Sequence, residues 1–326
     1  MRIPIVSILA LCLFALPPTA RAEEIVIQPT ELVAAGLFDA ENLAFDGRGR
    51  IFISASGCLY VMEPDGTGYN IIEGAIDFVG TYCGLAIGPD GFLYAACYRK
   101  GKTHILRIDI EAEEFPYTIY LKGTIKAPNG LRFDDDGTLY AADFAVYMPK
   151  KGKIWRIEPG PEDRTRAGRV EPQVTGLWGP NGIVMDRNRG RLYFTETFTG
   201  DMEKDETGAY GTEPKLLLDY DIDGPRFPII DDLALDAQGN LYACCYNSNQ
   251  VLLFSPEGTF LKRIKLKGVL HPTAIAFTPA WSEERAIYVT QKGHMFFKEN
   301  KRGDRLSRFA YEEVPYRLPF LKPVTE

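Results

Sequence analysis

Residues 129–142 read NGLRFDDDGTLYAA, and this stretch decides the fold because the chain repeats its pattern five more times. The other copies are ENLAFDGRGRIFIS from Glu41, CGLAIGPDGFLYAA from Cys83, NGIVMDRNRGRLYFT from Asn181, DDLALDAQGNLYAC from Asp231 and TAIAFTPAWSEERAIYVT from Thr273. Successive copies start 42, 46, 52, 50 and 42 residues apart. Within a copy the apolar residues alternate, as in Leu131/Phe133 and then Leu139/Ala141, which is the period of a half-buried strand. The intervening turns GRG, PDG, DDDG and AQG are rich in residues that tolerate positive φ, so each strand folds back as a hairpin. Further strand patterns follow at Cys58–Glu63, Ile105–Asp109, Lys153–Glu158, Leu216–Tyr220 and Val251–Ser255. Three or four antiparallel strands per repeat, six times over, predict an all-β fold: a six-bladed β-propeller with a central channel. A sandwich or an open array leaves the equal register of the copies unexplained. Ring closure requires one terminus to complete a blade begun by the other, and Glu24–Gln28 and Leu32–Ala35 are the candidates to join the last one.

The first 22 residues read as a secretory signal peptide. Arg2 supplies the positive charge, Ile3 to Leu16 form the apolar run, and Thr19-Ala20-Arg21-Ala22 offers a small-x-small cleavage site before Glu23. The run is too short to span a membrane, and no other stretch approaches the needed length. Residues 23–326 then form a single domain in the periplasm or outside the cell. The chain carries a formal charge of −7 and no basic block with interleaved aromatics, so nucleic acid is not an expected partner. No oligomeric state is read from the chain. Five cysteines follow the cleavage site (Cys58, Cys83, Cys97, Cys244, Cys245), none in a CxxC, and buried thiols are the expectation ahead of a disulfide. Cys83 and Cys97 stand symmetrically about the Gly88–Gly91 turn, which predicts thiols clustered at one end of the channel.

The inner strand of each blade lines the channel, so the first residues of the six copies form a ring at one mouth: Glu41, Cys83, Asn129, Asn181, Asp231, Thr273. Two carboxylates converging on one axis need a compensating cation. Oxygen donors of mixed charge suit a hard ion, Ca²⁺ first, with Mg²⁺, Mn²⁺ or Zn²⁺ as alternatives. The candidate metal ligands are Glu41, Asn129, Asn181 and Asp231, while Cys83 and Thr273 shape the pocket. The bland alternative is a water-filled channel in which Asn-Gly serves only as turn chemistry.

At these residues the chain resembles the family of senescence marker protein, gluconolactonase and luciferin-regenerating enzyme. More distantly it resembles diisopropyl fluorophosphatase, the drug-responsive bacterial lactonase and paraoxonase. The segments that carry the resemblance are Pro128-Asn129-Gly130-Leu131, Gly179-Pro180-Asn181-Gly182-Ile183 and Ile230-Asp231-Asp232-Leu233-Ala234. It implies a calcium-dependent propeller hydrolase, with Glu41, Asn129, Asn181 and Asp231 on the cation and Asp231 also as general base. Asp232 stands where many members have glycine. Ala127 replaces the arginine that holds sugar substrates, which points away from a polyhydroxylated lactone.

The expected chemistry is opening of a small lactone or similar ester, with Asp231 kept ionised by the cation and Asp232 and His271 as alternative bases. Tyr82, Phe144, Phe198 and Tyr246 are candidate apolar walls. The segment from Phe198 to Thr212 reads as the longest inserted loop, either solvated or an acidic second calcium site. The competing reading is a non-catalytic, calcium-stabilised propeller that binds a ligand or protein, and a strictosidine-synthase-like condensation ranks third.

Overall fold

A computed structural model describes residues 23–27, 29, 31–55, 58–73, 81–99, 102–145, 149–198, 201–206, 215–218, 229–279, 285–292 and 304–310. The signal-peptide reading of residues 1–22, the position of His294 and the side chains of Tyr82 and Cys83 lie outside this description.

The chain is an all-β propeller, and among the described residues the single helical element is the short 3₁₀ turn Tyr246–Ser248. Each copy of the repeat supplies an inner strand and its antiparallel neighbour: Pro128–Phe133 with Leu139–Asp143, and likewise Pro180–Asp186 with Arg191–Glu196. The described strands assemble into six sheets, each led by one copy. Every inner strand packs on the next, and the strand from Pro272 to Phe277 returns to Asn42–Phe45, so the circle closes.

The hairpins form as their sequences dictate. Asp46 Oδ1 accepts from the backbone N–H groups of Arg48 (2.9 Å) and Arg50 (2.9 Å), and Asp236 repeats this with Gln238 (2.9 Å) and Asn240 (2.8 Å). Gly49 (φ 87°) and Gly239 (φ 86°) take the left-handed position that ends these turns, where a Cβ is strained.

The inner pairs are buried on both faces rather than half-buried. Leu139 and Ala141 pack with Tyr94 and Ala96 of the preceding sheet, while Tyr140 and Ala142 pack with Ile183, Met185 and Phe194 of the following one. The alternation in LYAA thus sorts side chains between two neighbours, not between core and water. Hydrophobic clusters lie between sheets, including one that joins the last to the first through Ala274, Tyr288 and Leu306 against Leu43 and Ile53. Burial of each large apolar side chain in such a seam contributes about 1.5–3 kcal/mol, so the ring is held by its seams.

The termini close the circle differently from expectation. Glu31–Ala35 does complete the last sheet, antiparallel to Arg305–Ala310. Glu23–Ile27 does not join it; that strand runs parallel to Phe260–Leu266 on the outer edge of the fifth sheet. An exposed edge there presents unpaired backbone groups, and Glu24 adds a match to Lys265 at 2.8 Å and Arg263 at 3.9 Å. The Phe198–Thr212 reading is also corrected: Asp201–Glu206 is the third strand of its sheet, paired with Arg191–Glu196. Residues 207–212 lie outside the described part.

Candidate functional site

The ring residues owe their position to a repeated irregularity. In five sheets the inner pair slips register at the same place, as between Pro128/Asp143 and Leu131/Ala141. Asn129, Asn181, Asp231 and Thr273 each sit in such a bulge, which turns their side chains away from the ladder. The residue after the ring position is then pressed against the next inner strand. A Cβ at Gly84 would overlap the Asn129 carbonyl oxygen, and one at Gly130 would overlap that of Asn181. Glycine in Asn-Gly is therefore a close-approach residue here, not turn chemistry.

This second column reads Asn42, Gly84, Gly130, Gly182, Asp232, Ala274. Its two polar members meet: Asn42 Nδ2 donates to Asp232 Oδ2 at 3.3 Å, joining the first sheet to the fifth.

In the first column, Asn181 Nδ2 donates to Asp231 Oδ1 at 2.6 Å and to Thr197 Oγ1 at 3.2 Å. The Thr197 hydroxyl in turn donates to the Ile230 carbonyl at 3.0 Å, so the amide is fixed from behind and its own oxygen is left for other partners. Asn129 is buried at the equivalent place in the third sheet. Glu41 takes a partner the sequence reading missed: Lys292 Nζ lies 2.7 Å from Glu41 Oε2 and 3.2 Å from Asp39 Oδ1. Thr273 is structural, donating to the Ala40 carbonyl at 2.9 Å and so latching the last sheet to the first.

The electrostatics follow from this arrangement. Burial, and then the charge of Glu41, push the Asp231 carboxyl well above the usual carboxylate range, with Lys292 acting in the opposite sense. The expected downward shift of Asp231 is thus reversed among the chain's own groups, because the Lys292 ammonium, already paired with Asp39 and Glu41, lowers Asp231 less than burial and Glu41 raise it. For Lys292, burial works against the charge, but Glu41 and Asp39 outweigh it and hold the ammonium's pKa above the ordinary lysine value.

Burial also lifts Asp232, to about 6. A carboxyl whose folded pKa exceeds its unfolded value favours folding at low pH, and that contribution is lost as pH rises through the folded pKa. In chelator, Asp232→Asn is therefore expected to match wild type in urea unfolding near pH 4. By pH 7.5 it should exceed wild type by up to about 3 kcal/mol, the equivalent of a two-unit shift. Parallel curves at both pH values would refute the assignment.

Around the charges, Tyr246 and His271 stack with ring centroids 4.5 Å apart and planes within 10°. Phe198 bridges Phe144 (5.4 Å) and Trp178 (5.9 Å) on the same end of the barrel of strands. Gly179 leaves the room that the Phe198 ring fills. Cys97, Cys244 and Cys245 are buried thiols outside any disulfide, and Cys58 is half-buried. Across the ladder Cys97 faces Tyr82. His104 is buried across the ladder from Cys97, and burial, with the charges of Lys122 and Lys102 adding to it, lowers its pKa.

The donor set suits a hard cation: two carboxylates and two amides, with more negative charge than Lys292 balances. Among the described residues no three His, Cys, Asp or Glu side chains form a cage by themselves, so Asn129 and Asn181 would be needed as ligands. Lys292, Asp39 and Asn42 carried no repeat signature. The signal for Asn42 was a polar residue in a column of small ones, and for Lys292 a lone cation directly after the strand Ala286–Gln291.

A family model described as SMP-30/Gluconolactonase/LRE-like region matches residues 84–292. Lactonase drp35 of Staphylococcus saprophyticus is 24% identical over 277 residues, which is 80% of this chain and 80% of that protein. A gluconolactonase of Zymomonas mobilis is 22% identical over 225 residues, 63% of this chain and 60% of its own length. Among solved structures, regucalcin of Agrobacterium tumefaciens, described as a calcium-binding protein, superposes with a TM-score of 0.72. That match covers 92% of this chain and 99% of the other at 16% identity, a likeness of fold.

Proposed function

The chain belongs to the SMP-30/gluconolactonase/LRE-like family, and from that premise we propose that it is an exported hydrolase opening a lactone or similar small ester. The reaction takes place at the channel mouth of a six-bladed ring. Residues 1–22 act as the signal peptide, cleaved after Ala22. The observation that carries the reading is the buried Asp231 carboxylate, oriented by Asn181 at 2.6 Å beside Glu41 and Lys292.

Glu41, Asn129, Asn181 and Asp231 would hold a divalent cation, calcium first, which when bound offsets the excess anionic charge and draws electron density from an ester carbonyl. The chain's own residues supply the rest. Asp231 takes a proton from water as the water oxygen attacks the carbonyl carbon, and returns it to the departing ring oxygen. Asn181 keeps one Asp231 oxygen engaged, which leaves the other for the proton. Lys292 holds Glu41 in place through their 2.7 Å ion pair. Phe144, Phe198 and Trp178 give the mouth an apolar side, and Ala127 offers no cation to a substrate hydroxyl or carboxylate. Lactones with apolar substituents are thus favoured over polyhydroxylated ones.

A panel of γ-, δ- and sugar lactones tests this, assayed with calcium and with chelator. Chelator-sensitive opening of an alkyl-substituted lactone is the expected result. Inert lactones together with a calcium-raised melting temperature would replace this reading with a non-catalytic binding propeller.

A further inference from the structure

The mouth contains a hydroxyl that the scheme above leaves without work. Tyr246 is buried, and its phenolic oxygen has no hydrogen-bond partner among the described residues. An orphaned hydroxyl inside a protein is costly, and here the chain strains itself to place it. His271, whose face lies on the Tyr246 ring, has φ 54° and precedes a proline; Asn249 also has φ 54°. The two left-handed residues hold one another, since His271 N donates to Asn249 Oδ1 at 2.9 Å. The His271 carbonyl then accepts from the Lys292 N–H at 3.0 Å, tying this pair of loops to the residue that grips Glu41. A left-handed asparagine is ordinary at the cap of the 3₁₀ turn, where Asn249 sits, whereas His271 ahead of a proline is held there by these contacts, and such positions cluster at functional sites.

We propose that Tyr246 is a catalytic residue that donates its O–H to the carbonyl oxygen of the bound ester, with His271 as the positioning residue that fixes its ring. The proposal rests on the lactonase reading for the identity of the ester. As water adds to the carbonyl carbon, the π pair moves to the carbonyl oxygen and the water's proton goes to Asp231. Tyr246 keeps its proton and shortens its hydrogen bond to the new oxyanion. When the carbonyl re-forms, the C–O bond to the ring oxygen breaks, and the proton on Asp231 passes to that leaving alkoxide. Burial first, with Asp231, Glu41 and Asp39 adding to it and Lys292 opposing, raises the Tyr246 hydroxyl to about 12, so it stays a donor at neutral pH.

Tyr246→Phe keeps the stack and deletes only the hydroxyl. It is expected to lower kcat on the best lactone about 10²-fold, with KM changed less than about threefold. Its melting temperature should be no lower than wild type, because no protein partner is lost. His271→Ala should lower kcat in the same sense, and His271→Phe, which retains a ring against Tyr246, should restore most of it. A second readout uses δ-valerolactam, which presents the same carbonyl without being opened: Tyr246→Phe should weaken its Kd at least about fivefold by calorimetry, about 1 kcal/mol. Full kcat and unchanged lactam affinity in Tyr246→Phe would overturn the proposal while the lactonase reading stands. A wild type inert to every lactone, but with lactam binding that needs the hydroxyl, overturns the lactonase reading and keeps Tyr246 as a carbonyl donor. A wild type that neither opens lactones nor binds the lactam overturns both.

Discussion

Asp231→Asn is expected to lower kcat/KM on the best lactone at least about 10³-fold, which is about 4 kcal/mol of transition-state stabilisation. The amide has nearly the shape of the carboxylate and still offers an oxygen to Asn181 Nδ2, so the 2.6 Å contact need not be lost. What disappears is the capacity to take a proton from water. The same change removes a buried anion whose ionisation burial and Glu41 both oppose. In chelator the variant should therefore unfold at a urea concentration no lower than wild type. Loss of activity with retained or raised stability separates a catalytic carboxylate from a structural one. More than a tenth of wild-type activity in Asp231→Asn would remove Asp231 from the mechanism.

Lys292→Met should destabilise the fold by about 3 kcal/mol in chelator. The pair it breaks is mostly out of water, with side-chain exposures of 17% for Lys292 and 11% for Glu41. Removing one partner leaves Glu41, and Asp39 beside it, without their cation. Two further measurements identify what Glu41 serves. Adding Glu41→Gln to Lys292→Met should return much of the loss, because the orphaned charge is gone. Calcium should stabilise Lys292→Met more than wild type, since Glu41 no longer divides its oxygens between an ammonium and the ion. Equal urea midpoints for wild type and Lys292→Met would show the pair to be solvated and energetically silent.

The architecture was legible because each level of the chain repeats it. The 42–52-residue spacing, the Asp/Gly turns and the alternating apolar strands all describe the same sheet six times, and the sheets form as those residues require. The pairing of Asn181 with Asp231 was legible too, since register put both on one axis. Lys292 was not, because it lies beyond the repeat unit and its partners Asp39 and Glu41 stand far earlier in the chain, Glu41 at a separation of 251 residues. The Asn42–Asp232 contact was missed for a related reason. The two residues sit in a column that packing reserves for glycine or alanine, and their role appears only when sheets one and five face each other. The N-terminal strand went to the fifth sheet because an open edge with Arg263 and Lys265 attracts Glu24, a preference that periodicity does not encode. Asp231's upward shift was hidden because charge balance depends on how many anions share one ammonium, which a list of residue types leaves open.

The closure of the last sheet by Glu31–Ala35 also fixes the order in which this protein can mature. Five sheets draw their hairpins from neighbouring sequence, but the sixth must wait for residues 272–310 to be made and then recover a strand from the opposite end of the chain. Pairings of such long sequence separation are the slow ones. Glu41 meets Lys292 only when the last sheet docks on the first, so their ion pair is absent from any partly folded form in which that seam is open. A nascent or refolding chain therefore carries most of its β-structure before its charged mouth is complete.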